Sequence, residues 1–353
     1  MKSKKITLKQ IADEANLSTA AVSMILSKKK LTRFSEDTIE KVNKIANDLG
    51  YIKNTEIKSS KSIIIICPSV YNPYYSTLVQ GIEIQAAKFG IRTFIKNTYW
   101  DIEVEKDILK FAKKTQVSGI IFTMIPQLAN EVLDYCKNIP LVAVGDFNNN
   151  YHFDTIDLNN YEAGKKVARH LIELGHRNIA YITTTLDSYH SARVRRKDGL
   201  IAELKDNKIK DKLVICSKNI ESPTELNHPD IEYQTGYELA KQCLIKHPEI
   251  TAMVGINDMI AYGIIDAILD SNLQVPQSIS VCGFDNIFAS KFRSLSLTSV
   301  ENYIVQRGRR ALNLINSRIN NSEFHDEGIT NITRIEYTSK LVKRDSTAIP
   351  RSY

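Results

Sequence analysis

Apolar residues recur at helical spacing three times within the first fifty positions. Leu8, Ile11, Ala12 and Ala15 define a short first helix. It opens with Thr7-Leu8-Lys9-Gln10, where the threonine hydroxyl and the glutamine side chain can satisfy the free amides of a helix start. Asn16-Leu17 makes a turn, and Ser18 caps a second helix that runs to Leu26 with Val22, Ile25 and Leu26 facing inward. A third helix, capped by Ser35, covers Glu36–Leu49 with Ile39, Val42, Ile45, Ala46 and Leu49 as its stripe, and Gly50 ends it. This is the pattern of a helix-turn-helix with a packing helix. The outer row of the second helix, Thr19, Ala20, Ser23 and Met24, is short and uncharged. A merely solvated bundle would carry long charged residues there, so the row predicts a surface that lies in a major groove of DNA.

A polar segment without Gly or Pro, residues 53–62, separates this unit from a longer body in which apolar runs alternate with amphipathic stretches. Strands are predicted at Ile63–Cys67, Ile91–Ile95, Gly119–Thr123 and Leu141–Gly145. Helices at Tyr75–Phe89, Val104–Thr115 and Leu128–Asn138 fall between them. After Asp157 the rhythm restarts: helix Tyr161–Leu174, strand Ile179–Thr184, helix Arg195–Lys205 and strand Leu213–Cys216. Helix Glu232–Lys246, strand Ala252–Ile256, helix Ile260–Ser271 and strand Ser280–Phe284 follow. Continuously apolar strands separated by helices indicate parallel sheets covered on both faces. The fold class is therefore α/β, with two doubly wound halves and a cleft between them.

Such sheets bind ligands outside the carboxyl ends of their strands. Those ends lead into Tyr71-Asn72-Pro73-Tyr74-Tyr75, Asp146, Ser188–Ser191 with Arg193, Arg195 and Arg196, Asn257-Asp258, and Asp285-Asn286. Each residue alone could be a loop polar group, and Asn257-Asp258 could be only a helix cap. Gathered on one rim, aromatic faces beside carboxylates, an amide and guanidinium groups suit a neutral polyhydroxy ligand, whose CH face stacks while its hydroxyls are paired.

Charge divides the chain unevenly. The net charge is +7, and residues 1–62 carry +6 of it, which on charge alone suits either a polyanion partner for the small first unit or a solvated lysine-rich tail. Lys28, Lys29, Lys30 and Arg33, beyond the second helix, are placed for phosphates, which add affinity but no sequence information. Five cysteines without a CxxC pair predict buried, reduced thiols. No apolar run approaches the ~20 residues of a membrane helix, and the basic Met1–Lys5 is followed by no apolar export segment, so a cytoplasmic location is expected.

Two other classes were weighed. An enzyme on a Rossmann-like body would need a phosphate cradle, but the first strand runs into Pro68 without GxGxxG. Ser27–Lys30 fits SxxK only within a lysine run, and the histidines show no metal spacing, so no catalytic residue, metal or cofactor is expected. A free cytosolic or exported sugar-binding protein would leave the basic first unit without a purpose.

The segment Thr7-Leu8-x-x-Ile11-Ala12-x-x-Ala15-x-Leu17-Ser18-x-x-x-Val22-Ser23-x-x-Leu26 resembles the headpiece of the lactose/galactose-repressor family. Ser35-x-x-Thr38-x-x-x-Val42 and Leu49-Gly50-Tyr51-x-x-Asn54 extend the likeness. The body resembles the family's periplasmic-binding-protein-like fold through Asn72-Pro73-Tyr74-Tyr75, Leu174-Gly175-His176-Arg177, Arg196-x-x-Gly199, Asn257-Asp258-x-x-Ala261-x-Gly263, Val275-Pro276 and Gly283-Phe284-Asp285. The resemblance implies that Thr7, Ser18, Ser23, Tyr51 and Asn54 hold the DNA backbone, while Thr19, Ala20 and Met24 lie over bases. The family usually carries Arg where this chain has Met24; a thioether cannot make the bidentate guanine contact, so a different operator base is expected there. By position the minor-groove wedge of the family's hinge falls on Ser60, leaving Ile57 as the apolar candidate.

For the effector, usually a sugar or nucleobase in this family, the resemblance implies Tyr74, Tyr75, Asp146, Ser191, Arg196, Asn257 and Asp285. The expected organisation is a headpiece at 1–52, a hinge at 53–62 and an effector-binding and dimerisation body at 63–353. Lobe 1 takes about 63–158 and 290–324, and lobe 2 about 159–289 and 325–345. Chain passages between lobes are expected near Asp157–Tyr161, Ile287–Ser290 and Glu323–Gly328. No leucine heptad follows Leu341–Thr347, which predicts a dimer rather than a coiled-coil tetramer. The whole reads as a repressor of transcription whose partners are operator DNA, a sugar or sugar phosphate, and a second copy of the chain.

Overall fold

The structure, a computed structural model, describes residues 6–26, 33–49, 61–136, 139–146, 151–187, 190–209, 213–222, 224–294, 296–320 and 331–351, without the side chains of Asn47 and Glu225. The chain divides into two compact units, Met1–Ser60 and Lys61–Tyr353. Lys28, Lys29, Tyr51, Asn54 and Ile57 lie outside the described residues, as does the passage expected at Glu323–Gly328.

In the first unit, α1 (Leu8–Ala15), α2 (Thr19–Leu26) and α3 (Glu36–Asp48) enclose one apolar cluster built on Ile11, Ala12, Ala15, Val22, Ile25, Val42 and Ala46. The capping box of α1 is formed: the Gln10 amide donates to Thr7 Oγ1 at 3.4 Å, and the Thr7 amide donates to Gln10 Oε1 at 2.8 Å. Asn16 then takes a left-handed conformation (φ 56°) that ends α1, a state its short polar side chain tolerates. Ser18 Oγ accepts the Ala21 amide at 3.1 Å, which starts α2 only three residues after α1 stops.

The second unit is two six-stranded sheets flanked by helices. Strands β1 (Ser62–Cys67), β2 (Arg92–Asn97), β3 (Gly119–Phe122), β4 (Leu141–Val144) and β5 (Asp154–Leu158) form the first, with helices α4 (Pro73–Phe89) and α5 (Ile102–Thr115) between strands. Its order is β11-β5-β4-β3-β1-β2, and every pairing is parallel. The second sheet holds β6 (Ile179–Thr183), β7 (Leu213–Ser217), β8 (Ala252–Gly255), β9 (Ser280–Asp285) and β10 (Thr298–Glu301). It is ordered β12-β10-β9-β8-β6-β7, parallel except where β12 (Lys340–Val342) runs antiparallel to β10. Its helices are α7 (Asn160–Glu173), α8 (Ser191–Asp206), the short α9 (Thr224–Asn227), α10 (Ile231–Lys246) and α11 (Asp258–Leu269). The chain returns to the first sheet through α12 (Ile304–Asn320) and β11 (Arg334–Tyr337). Glycines let paired helices meet backbone to backbone. A Cβ at Gly164 of α7 would overlap the carbonyl oxygen of Arg196 in α8, and one at Gly199 would overlap that of Tyr161.

Several expectations are corrected. The helix expected over Leu128–Asn138 shrinks to α6 (Val132–Tyr135), because the buried Glu105 carboxylate accepts the amides of Gln127 and Leu128 (3.2 and 3.0 Å) and holds a loop there. Strand β5 is present but carries Asp154 and Asp157, which broke its apolar pattern; Asp154 is neutralised by Arg318 at 2.7 and 2.8 Å. The second passage between lobes is at Asn302–Tyr303 rather than Ile287–Ser290, since β10 still belongs to the second sheet and α12 packs on α4. The third lies between β11 and β12, at residues 338–339. Cys216 is half-exposed rather than buried.

Candidate functional site

In the first unit, Thr19, Ala20 and Ser23 are exposed on one side of α2 and Met24 is half-buried beside them, while Val22 and Ile25 point into the core. Thr7 and Ser18, also exposed, are the cap residues of α1 and α2. The expected base-facing row is thus a continuous, uncharged strip on a short helix whose start is capped by Ser18.

In the second unit, the carboxyl ends of both sheets face a cleft containing a cavity of about 120 Å³. Tyr74, Tyr75, Asp146, Ser191, Arg196, Asn257 and Asp285 all line it. The fold positions each through local chemistry. Asn72 caps α4 by accepting the Tyr74 amide (2.9 Å), and Pro73 follows it, so the first turn projects both tyrosines. Asn257 likewise caps α11 through the Ile260 amide (2.9 Å) while its own NH₂ reaches Glu232 (2.8 Å), so it is a cap and a lining residue at once. Asp285 ends β9 at φ +111°, with Asn286 at +50°, a sharp left-handed turn at the rim.

The buried polar groups form a circuit between the lobes. Asn160 at the first passage donates to Asp146 Oδ1 (2.5 Å) and accepts from Arg196 Nε (2.8 Å). Arg196 also reaches the Ile256 carbonyl (2.5 Å) and Asp285 (3.5 Å), and lies 4.7 Å from the Phe284 ring centre. Asp285 accepts from Asn302 (2.8 Å) at the second passage; Asn302 in turn accepts from Arg307, which reaches Tyr74 Oη at 3.2 Å. Arg307 Nε and Asp146 Oδ2 are buried and have no hydrogen-bond partner among the described residues; of the two, Asp146, only 4 % exposed, lines the cavity. An orphan acceptor of this kind is costly unless something else satisfies it.

Burial sets the electrostatics. It pushes the Asp285 carboxyl up to about 6 against the pull of Arg196, Asn302 and Arg307. Burial and the charge of Asp285 raise Asp258, enclosed beneath the rim by Ser290, Ser299 and the Ile287 amide, to about 7. His190 is lowered to about 4 by burial and by Arg193, so at neutral pH it is an uncharged ring. No cluster of His, Cys, Asp and Glu among the described residues could hold a metal ion.

Sequence reasoning missed several lining residues. Trp100 and the segment Thr123–Ile125 follow β2 and β3, at strand ends that sequence inspection passed over. Glu232 projects from the first turn of α10, where no strand-end rule points. It accepts from Asn72 across the cleft at 2.7 Å and pairs with Arg193 at 3.4 Å. His190 packs at a tilt of 48° against Trp100 with ring centres 4.5 Å apart, and Ser222 Oγ donates to the Tyr99 carbonyl (3.1 Å), so with the Asn72–Glu232 bond these contacts bridge the lobes. Arg195 turns instead toward Asp157, at 3.9 Å.

With this geometry established, comparison with known proteins is informative. Residues 7–54 match the family described as bacterial regulatory proteins, lacI family, and residues 60–344 match periplasmic binding proteins and the sugar binding domain of the LacI family. A relative from Haemophilus influenzae, the HTH-type transcriptional repressor PurR, is 30% identical over 349 residues, covering 96% of this chain and 98% of its own. The fold is shared with a LacI-family regulator from Silicibacter pomeroyi (TM-score 0.75, 21% identity, 98% of this chain and 100% of that one). It is shared too with a LacI-family regulator from Enterococcus faecium solved with bound ribose (TM-score 0.70, 21% identity, 82% and 100%).

Proposed function

The chain belongs to the lacI family of bacterial regulatory proteins, and from that premise we propose that it is a homodimeric, cytoplasmic repressor whose grip on operator DNA is set by a small polyhydroxy ligand. The DNA-binding surface is the outer strip of α2. Thr19, Ala20 and Met24 face bases; Thr7, Ser18, Ser23, Tyr51 and Asn54 hold the backbone; Lys28 and Lys29 meet phosphates; and Ile57 is the minor-groove wedge. The ligand sits among Tyr74, Tyr75, Asp146, Ser191, Arg196, Asn257 and Asp285. The protein performs no catalytic step in this reading.

The observation that carries the ligand site is Asp146 Oδ2, buried and without a partner among the described residues, inside a cavity where Arg196, Asn257 and Asp285 are already hydrogen-bonded. A hydroxyl donated to Asp146 removes that penalty, and further hydroxyls engage Asp285, Arg196 and Asn257. Because Asn160 and Asn302 sit at chain passages, a ligand that rearranges this circuit favours one lobe arrangement over another. By linkage, operator binding and ligand binding then shift each other by the same factor, 5- to 150-fold for ~1–3 kcal/mol of coupling.

Selection on random duplexes, followed by anisotropy titration of the recovered operator, tests the reading. Asp285→Ala is expected to keep operator affinity and to lose the response to ligand, which binds about 10- to 100-fold more weakly without that acceptor. Loss of operator binding in the same variant refutes the separation of roles.

A further inference from the structure

The cleft holds two chambers. Beside the inner cavity lies an outer one of about 190 Å³, between Tyr99, Trp100 and Gln127 of lobe 1 and the segments around Thr184, Ile220 and Ser222 of lobe 2. Trp100, His190, Arg193 and Glu232 line both and so form the partition between them. The outer chamber also has its own orphan: Gln127 Oε1 is buried and has no hydrogen-bond partner among the described residues. The loop bearing it is held firmly, because the buried Glu105 carboxylate accepts the amides of Gln127 and Leu128. Each chamber therefore contains an acceptor left unsatisfied among the described residues, at a cost recovered only when a donor arrives.

Resting on the proposed function above, we propose that the ligand is a neutral two-ring polyhydroxy compound of disaccharide length. One ring would donate to Asp146 in the inner chamber, and the second to Gln127 in the outer. Three observations favour this over a single ring. The inner cavity alone falls below the ~300 Å³ at which ordinary small-molecule pockets begin, and the two chambers together reach it. The partition includes an aromatic pair, Trp100 against His190, which offers apolar faces to sugar CH groups beside the linkage between two rings. The outer chamber sets Asp187, Glu221 and Glu232 against the single guanidinium of Arg193, with His190 uncharged, and this balance disfavours a phosphate.

The test uses the full-length protein in thermal-shift and calorimetric titrations. Cellobiose, maltose, lactose, trehalose and sucrose are the two-ring probes; glucose, galactose, ribose and glucose 6-phosphate are the one-ring probes. A two-ring probe is expected to raise Tm and to bind at least tenfold more tightly than its own one-ring component. Gln127→Ala should weaken that probe about tenfold and leave its one-ring component unchanged, whereas Asp146→Asn should weaken both. A one-ring compound that binds as tightly as any two-ring probe overturns the inference, and so does a Gln127→Ala protein with undiminished two-ring affinity. If such a one-ring compound also loosens the operator complex, the proposed function stands while the two-ring assignment falls. Binding of no probe in either set also overturns the assignment. Operator titration in parallel decides the underlying reading separately, since a chain without selective duplex binding refutes it whatever the sugars do.

Discussion

The outer strip of α2 and the cleft around Asp285 present their polar groups in opposite ways. The strip is contiguous in sequence, uncharged and largely exposed, on a helix that the Ser18 cap starts. The cleft is assembled from residues as far apart as Tyr74 and Arg307, and most of its groups are buried and bonded to each other before any ligand arrives. A long regular polyanion supplies its own order and most of the attraction, so the surface that meets it needs shape above all. A small neutral molecule must instead be repaid for every water it leaves, which requires groups held in advance at defined spacing.

The largest perturbation of this contrast is a charge in the first unit's core. Ile25→Asp buries an unpaired carboxylate among Ile11, Val22 and Val42, costing several kcal/mol in a unit of about sixty residues with little stability in reserve. Operator binding should vanish in a gel-shift assay while the body keeps its own melting transition. Selective binding by this variant would break the comparison. Next in size, Met24→Arg restores a bidentate guanine reader, and duplex selection should move one base of each half-site to guanine with ~1–3 kcal/mol of preference. Recovery of guanine there by the unaltered chain would show that Met24 does not read that base.

The cleft predicts a pH effect. Burial raises Asp285 to about 6, above its ordinary carboxylate value, so it gains a proton as pH falls through 6 and loses acceptor capacity. Ligand affinity should drop several-fold between pH 7 and pH 5.5, and Asp285→Asn should flatten that dependence. The same shift means that the unliganded body loses stability contributed by Asp285 as pH rises from about 4 through 6. His190, whose folded value is depressed to about 4, acts in the opposite sense: its contribution is present above its ordinary value and lost as pH falls toward 4. The smallest expected effect is at a cap. Thr7→Ala removes the hydroxyl acceptor of the α1 box and should cost the first unit about 1 kcal/mol, seen as a Tm several degrees lower by circular dichroism with the body unchanged.

The same contrast explains what could be read from the chain beforehand. Caps and helical periodicity are local signals, so all three helices of the first unit were legible, as was the parallel α/β character of the body. The rule that ligands gather at strand carboxyl ends led to Tyr74, Asp146, Arg196, Asn257 and Asp285, which do share one cavity. It failed for Glu232, which projects from a helix; it reached His190 but was not applied to Trp100 after β2, and a ring contact across a cleft leaves no periodic trace. The amphipathic spacing of Ile304, Gly308, Ala311, Leu312 and Ile315 did mark α12. Overlooking it displaced the expected second passage, since that helix carries the chain back to lobe 1.

The close approach of α7 and α8 at Gly164 and Gly199 acts as a gauge for the ligand site. It fixes how near α7 stands to α8, and thereby how far Asn160 lies from Arg196. One added methyl group at either glycine would press on the main chain of Arg196 or Tyr161 and widen that gap. Recognition can therefore be retuned from the back of the site, by residues the ligand never meets.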